Sequence, residues 1–243
     1  MMPAASGPLV VARHDLVWLD AGAREALTTP LRAVGNEGDA DALATWLVHG
    51  RPFVVSRQPD GWRGGFDAVG PSSDWLAAGV PLPPGEGKRR LGARLSWADV
   101  RAHRAPLSLY ELAESPLLPP GRSVALDRLA RALETLSVTP RVFGSAAMQA
   151  LTGMAYLRPD SDLDLLWRPV DAAQCLAVAE VLLRWQEEEG WPVDGEMLFG
   201  EDDAVSWREW QRAASGGDGQ VLVKSLRSAR LVSRAALMEQ VTA

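Results

Sequence analysis

The chain reads RVFGS at residues 141–145 and DSDLDLL at residues 160–166, and these two segments decide its fold. The first predicts a short apolar strand that enters a Gly-Ser turn, followed by a helix starting near Ala146. The start of a helix has free N–H groups and the positive end of the helix dipole, which suits phosphate. Glycine lets a phosphate approach the backbone closely, and a serine hydroxyl adds a donor. We therefore expect Gly144 and Ser145 to bind phosphate.

The second segment predicts a strand that carries two acids. Because side chains alternate between the faces of a strand, Asp162 and Asp164 point one way, while Leu163 and Leu165 enter a core. Two carboxylates on one face repel each other unless a cation lies between them. Mg²⁺ takes carboxylate oxygens together with phosphate oxygens and waters. The pattern therefore predicts Mg²⁺-dependent phosphoryl or nucleotidyl transfer.

A third acid is expected from a later strand at residues 192–199. Asp194 and Glu196 share one face of that strand, so either can complete a metal site, and the sequence analysis favours Asp194. Lys224, in the β-rich run at residues 220–226, is a further candidate for contact with a phosphate.

Composition excludes several other classes of protein. The chain has 243 residues, of which 47% are hydrophobic and 23% charged, as in a globular protein with a substantial core. Its net charge of -6 argues against a general nucleic-acid binder. One cysteine, Cys175, allows no internal disulfide. With no signal-peptide pattern and no apolar run long enough for a bilayer, we expect a cytoplasmic protein without a membrane partner.

The sequence predicts two domains of the α+β class. A Pro-rich stretch at residues 115–121 predicts the boundary between residues 1–115 and residues 121–243. The N-terminal domain is expected to be smaller and rich in loops, because residues 59–87 are dense in Gly and Pro. The C-terminal domain is expected to hold a mixed sheet with helices and the acids.

The densest basic cluster of the chain follows the Gly- and Pro-rich stretch. One interpretation is a solvated surface turn. The other is a cradle for a polyanionic substrate, because arginine forms paired hydrogen bonds with phosphate oxygens. The cluster consists of Lys88, Arg89, Arg90 and Arg94.

The order of strand, Gly-Ser turn, helix and Asp-x-Asp strand resembles the nucleotidyltransferase superfamily, whose fold is a small mixed sheet with helices against it. Sixteen residues separate Ser145 from Asp162, more than in compact members of that superfamily. Further segments resemble the malonate decarboxylase holo-acyl-carrier-protein synthases, which are phosphoribosyl-dephospho-CoA transferases. These segments are HDLVWL at 14–19, RPFVV at 51–55, VPLPP at 80–84 and VDGE at 193–196, together with the two segments quoted first.

The resemblance implies a two-domain Mg²⁺-dependent enzyme that modifies the acyl carrier protein of malonate decarboxylase. The implied donor is 2'-(5''-triphosphoribosyl)-3'-dephospho-CoA, the acceptor is a serine of the carrier protein, and pyrophosphate is released. Asp162, Asp164 and Asp194 would be the catalytic acids and metal ligands. The residues implied in substrate binding are Gly144, Ser145, Lys88, Arg89, Arg90 and Lys224.

Two alternatives remain open at this stage. One is a nucleotidyltransferase that moves a nucleoside monophosphate to a small molecule or to another protein. The other is a catalytically silent module that only binds a nucleotide, for which a missing third acid would be the sign. The acids of the strand at residues 192–199 argue against this last interpretation.

Overall fold

The computed structural model describes residues 11–59, 66–67, 70–71, 75–215 and 219–242. The chain divides into two compact units, Met1–Ala105 and Pro106–Ala243. This division lies upstream of the Pro-rich stretch where the sequence analysis placed the domain boundary. The cause is apolar packing, because Leu107, Leu109 and Leu112 are buried in the core of the second unit.

The N-terminal unit contains an antiparallel sheet and two helices that pack on each other, α1 (Arg24–Ala33) and α2 (Glu37–Val48). The sheet order is β6-β5-β2-β1-β7, and β3 and β4 form a separate short ladder. The strands are β1 (Leu16–Leu19), β2 (Phe53–Val55), β3 (Phe66–Asp67), β4 (Gly70–Pro71), β5 (Trp75–Pro81), β6 (Arg90–Ser96) and β7 (Val100–Arg104).

Strand β5 lies within the Gly- and Pro-rich stretch where the sequence analysis expected loops. Leu76, Ala78 and Val80 alternate with half-buried residues and are themselves buried. The strand pairs with β6 over seven residues. Its period-2 pattern is weak in the sequence because small residues such as Gly79 occupy the other face.

The C-terminal unit is a seven-stranded mixed sheet with helices. The helices are α3 (Leu109–Ala113), α4 (Arg122–Glu134), α5 (Gly144–Thr152), α6 (Ala172–Glu189), α7 (Trp207–Ser215) and α8 (Arg234–Thr242). The strands are β8 (Leu107–Ser108), β9 (Arg141–Phe143), β10 (Leu163–Trp167), β11 (Val193–Phe199), β12 (Asp203–Ser206), β13 (Gln220–Lys224) and β14 (Ala229–Ser233). Their order is β14-β13-β12-β11-β10-β9-β8. The predicted α+β class is confirmed.

The centre of this sheet is the parallel pair β10 and β11, which the long helix α6 connects. A parallel pair needs such a crossover, because a tight turn can join only antiparallel strands. Leu163 and Leu165 of β10 are fully buried, and each contributes roughly 2 kcal/mol by leaving water. They pack in one core with the apolar stripe of α4, which includes Leu126 and Leu129.

The two ends of helix α6 are set by an aspartate and a glycine. The Asp171 carboxylate accepts a hydrogen bond from the Gln174 backbone N–H at 2.6 Å, and Gly190 ends the helix in a left-handed conformation. Cys175 lies inside this helix, where burial raises the pKa of its thiol to about 11. Its role is therefore in packing. In the described part of the chain, no helix has the length and apolar character needed to span a bilayer.

Candidate metal centre

Three carboxylates meet at one end of the parallel pair. Asp162, Asp164 and Asp194 each offer an oxygen, and these oxygens all lie within 4.8 Å of one another. None of the three residues is buried, so solvent and ligands can reach them. Three like charges at this separation repel one another, and a bound cation would remove that repulsion.

The sheet itself brings Asp164 and Asp194 together. Asp164 is the second residue of β10, and it stands opposite Asp194 of β11 in the parallel register. Directly opposed residues in neighbouring strands project from the same face of a sheet. The fully buried neighbours Leu163 and Leu165 fix which face that is. The apolar alternation of the sequence therefore determines where two of the three acids point.

Asp162 reaches the same place in a different way from the one predicted. The sequence pattern predicts Asp162 inside the strand, whereas β10 begins one residue later, at Leu163. Its two neighbours are nevertheless held in place. The Ser161 carbonyl accepts a hydrogen bond from the Trp191 indole N–H at 3.0 Å, and the Leu163 N–H donates to the Pro192 carbonyl at 2.8 Å.

The third acid in this cluster is Asp194, which the sequence analysis favoured over Glu196. Glu196 lies two residues further along β11, is 9% exposed, and has an oxygen 3.8 Å from the Lys224 ammonium nitrogen. The Asp194 carboxylate accepts a hydrogen bond from the Gly195 backbone N–H at 2.8 Å, which restrains its orientation.

The Gly-Ser turn lies against the acids. Helix α5 begins at Gly144, two residues earlier than predicted, and its N-cap residue, Phe143, makes no side-chain capping hydrogen bond. Gly144 has a φ of 69°, a conformation that favours glycine. A Cβ atom added there would come within 1.9 Å of an Asp164 carboxylate oxygen. The start of the helix, with Gly144 and Ser145, is thus beside one acid of the cluster.

Lys224 shares a sheet face with the acids of β11. It stands opposite Ala204 in β12, and Ser206, on the same face of β12, stands opposite Glu196. Its side chain is 47% exposed. The structure therefore places Lys224 beside Glu196, two strands away from Asp194.

The predicted basic residues belong to the N-terminal unit. Lys88 and Arg90 are exposed at the start of the edge strand β6. Arg89 forms an ion pair with Asp39 of α2. The Arg94 guanidinium stacks over the Trp75 ring, with its carbon 3.9 Å from the ring centroid. Two of the four basic side chains are thus already held within this unit.

Sequence reasoning missed two residues near the acids. Gly195 has a φ of 148°, and a Cβ atom there would meet the Leu165 carbonyl oxygen at 2.1 Å. Its signal was a glycine inside a strand pattern, which often marks a close approach of two backbones. Trp191 gave no signal, because a tryptophan just before a strand is ordinarily part of a core.

Comparisons with known proteins match both units of the chain. The model of the phosphoribosyl-dephospho-CoA transferase MdcG C-terminal domain matches residues 108–235, and the model of the N-terminal domain matches residues 12–106. A phosphoribosyl-dephospho-CoA transferase of Xanthomonas euvesicatoria pv. vesicatoria (strain 85-10) is 40% identical over 94% of this chain and 97% of the relative.

Two further relatives carry the same name. The protein of Xanthomonas axonopodis pv. citri (strain 306) is 39% identical over 94% of this chain and 97% of its own length. The protein of Bradyrhizobium diazoefficiens is 29% identical over 96% of this chain and 94% of its own length. No solved structure matches the chain. With matches to both domain models and relatives of this identity over nearly the whole length, the chain belongs to the MdcG family of phosphoribosyl-dephospho-CoA transferases.

Proposed function

We propose that this protein transfers the phosphoribosyl-dephospho-CoA group to a serine of an acyl carrier protein, the one that serves malonate decarboxylase. The donor would be 2'-(5''-triphosphoribosyl)-3'-dephospho-CoA. In this reaction the serine oxygen forms a bond to the α-phosphorus of the triphosphate, the one attached to the 5'' oxygen of the added ribose. The bond from that phosphorus to pyrophosphate breaks, and the serine proton passes to a base.

One observation carries the proposal: a cluster of three acids adjoins the first turn of a helix. The Asp164 carboxylate lies against Gly144, so the acid cluster adjoins the residue at which α5 begins. A triphosphate needs both kinds of group, cation-binding acids for its charge and N–H donors for its terminal oxygens. We assign the outer phosphates to Gly144 and Ser145.

The acids fit a magnesium ion. All three donors are carboxylate oxygens, which Mg²⁺ prefers, and two oxygens that bind one Mg²⁺ lie about 3 to 4 Å apart. Small side-chain rotations bring oxygens within 4.8 Å to that spacing. When bound, Mg²⁺ would neutralise the charge that develops on the phosphate oxygens and on the leaving pyrophosphate.

The remaining roles fall to two residues of the same sheet face. Asp194 is the third ligand in this proposal and is also the candidate to accept the serine proton, since its carboxylate is restrained by Gly195. Lys224 can contact the donor beyond the acids, because its half-exposed ammonium group lies on that face. Replacing Lys224 by methionine should raise the donor KM while the metal dependence stays the same, and an unchanged donor KM would remove this role.

We further propose that the basic turn, defined as Lys88, Arg89, Arg90 and Arg94, receives the acidic carrier protein or the donor. Residues 106–243 carry 20 acidic against 13 basic side chains, whereas residues 1–105 carry 11 against 12. An anionic partner is therefore repelled by the C-terminal unit as a whole. The basic turn offers it a positive surface.

Reversing one charge tests this role. We expect Arg90→Glu to lower kcat/KM for the carrier protein about tenfold at low salt, with a smaller difference at high salt because exposed charges are screened. Arg101→Glu is the matched control, since Arg101 is also exposed and lies on β7, the opposite edge of the same sheet. Equal losses in the two variants would show that only the net charge matters.

The reaction itself is tested by the mass of the carrier protein. Incubation with enzyme, the triphosphate donor and Mg²⁺ should add one phosphoribosyl-dephospho-CoA group to the carrier. Chelation of the metal should prevent the addition. Pyrophosphate release from an ordinary nucleoside triphosphate, without any carrier adduct from the proposed donor, would instead support a nucleotidyltransferase of different specificity.

A further inference from the structure

Asp162 is the member of the acid cluster that lies outside the strands. Asp164 and Asp194 are fixed by strand pairing, but no ladder position includes Asp162. The residues on either side of it are bound instead to one dipeptide. The Ser161 carbonyl accepts from the Trp191 indole at 3.0 Å, and the Leu163 N–H donates to the Pro192 carbonyl at 2.8 Å.

These two hydrogen bonds connect Asp162 to the strand that carries Asp194. Residues 191 and 192 immediately precede β11, and Asp194 is its second residue. Fixing the peptide groups on both sides of a residue restricts its φ and ψ and thus the direction of its side chain. The clasp, defined as residues 161–163 with residues 191–192, therefore sets the separation between Asp162 and Asp194.

The Trp191 side chain is itself held rigidly. It is 1% exposed, and the Arg122 guanidinium lies over its ring with 4.1 Å between the guanidinium carbon and the ring centroid. The Trp185 ring contacts it at a centroid distance of 5.8 Å. These contacts restrain the indole ring in the orientation that directs its N–H at the Ser161 carbonyl.

The chain that leads into the clasp is also anchored. The Ser161 hydroxyl accepts from the Arg158 N–H at 2.9 Å, and the Ser161 N–H donates to the Arg158 carbonyl at 3.0 Å. Further back, the Gln149 side chain of α5 accepts from the N–H groups of Tyr156 and Leu157 at 3.1 and 2.9 Å. The long connection between the Gly-Ser turn and Asp162 is thus fastened to the helix that carries the turn.

We propose that Trp191 is a positioning residue of the metal centre. Its indole N–H holds the Ser161 carbonyl, and this hydrogen bond places the Asp162 carboxylate where it can share an ion with Asp164 and Asp194. The inference rests on the proposed function, because it requires that the three acids bind a divalent cation. Trp191 acts through Asp162 and touches neither the ion nor the substrate.

Trp185 supplies a matched control for a test. Its indole N–H donates to the Ala125 carbonyl at 2.9 Å, and it is 5% exposed, so Trp185→Phe and Trp191→Phe each remove one buried indole hydrogen bond from the same aromatic pair. Calorimetric titration of the full chain with Mn²⁺, without donor, measures metal affinity directly. We expect Trp191→Phe to weaken Mn²⁺ binding about tenfold, as loss of a supporting hydrogen bond around metal ligands does. Trp185→Phe should bind Mn²⁺ like the wild type, with a similar fall in melting temperature.

The outcomes separate the inference from the function on which it rests. Wild-type affinity in Trp191→Phe, or equal weakening in both tryptophan variants, would overturn the positioning role while leaving the metal centre intact. Wild-type protein that binds Mn²⁺ no better than Asp164→Asn would remove the metal centre, and the positioning role with it. If Trp191→Phe does not fold, benzothienylalanine incorporated at position 191 replaces it, because that side chain keeps the shape of the indole and lacks only the N–H donor to the Ser161 carbonyl. This variant should also weaken Mn²⁺ binding, and unchanged affinity would contradict the proposal.

Discussion

Replacing Asp164 by asparagine should reduce the rate of transfer by roughly 10³-fold, as expected when several kcal/mol of charge stabilisation are lost. The substitution keeps the shape of the side chain and removes only the charge that a cation needs. Asp164 is the central acid of the cluster, since it stands opposite Asp194 in the sheet and lies against the Gly-Ser turn. The metal concentration for half-maximal rate should rise at the same time. Rates measured over a Mg²⁺ series give both quantities.

Variants of the neighbouring acids sharpen this prediction. Asp162→Asn and Asp194→Asn should show the same two effects, because their oxygens belong to the same cluster. Glu196→Gln should leave the Mg²⁺ dependence unchanged, since that carboxylate is beside Lys224. A Glu196→Gln variant with the metal dependence of Asp194→Asn would make Glu196 the third ligand. Full activity of Asp164→Asn would exclude the acid cluster from catalysis.

Replacing Gly144 by alanine should lower kcat/KM by about 10²-fold, because a displacement of about 1 Å in a catalytic group has effects of that size. The added Cβ would stand 1.9 Å from an Asp164 oxygen and 2.7 Å from its carboxyl carbon, so the carboxylate or the turn has to move. The φ of 69° at this position adds a backbone cost of about 1–2 kcal/mol to the stability of the variant. Steady-state kinetics and melting temperature should be measured together.

A variant of Gly153, at the other end of α5, distinguishes the effect of displacing the Asp164 carboxylate from the backbone cost of a positive φ. It has a φ of 72°, and a Cβ there would meet only a Leu117 methyl carbon at 3.9 Å. Gly153→Ala should therefore lose a similar amount of stability and keep activity within about threefold of the wild type. If Gly144→Ala and Gly153→Ala are equally active, contact between the turn and Asp164 has no role in the reaction.

The centre of the C-terminal unit could be predicted from the sequence because it depends on apolar alternation and on backbone conformation within short segments. The two leucines of the DLDLL pattern fix the face of β10, and that choice determines where Asp164 points. The Gly-Ser turn could be predicted from its glycine, since Gly144 has a φ of 69°, a conformation that favours glycine. Asp194 followed from the same alternation on β11, although the sequence left Glu196 open as an alternative.

Other features depend on contacts between residues far apart in the chain. The position of Asp162 rests on a hydrogen bond to the Ser161 carbonyl from the indole of Trp191, thirty residues beyond Ser161, which no periodicity reveals. Helix α3 belongs to the C-terminal unit because Leu109 and Leu112 join its core, although a Pro-rich stretch follows them. Strand β5 was hidden by small residues, and it forms because β6 pairs with it along its whole length.

In the proposed site, three carboxylates from two neighbouring segments bind one divalent ion. Crystals grown or soaked with Mn²⁺ and measured at a wavelength where manganese scatters anomalously would locate that ion directly. We predict an anomalous peak within about 2.3 Å of an oxygen from each of Asp162, Asp164 and Asp194, as expected for an ion of this kind with oxygen ligands. A peak that contacts Glu196 in place of Asp194, or no peak at the acids at saturating Mn²⁺, would contradict the account.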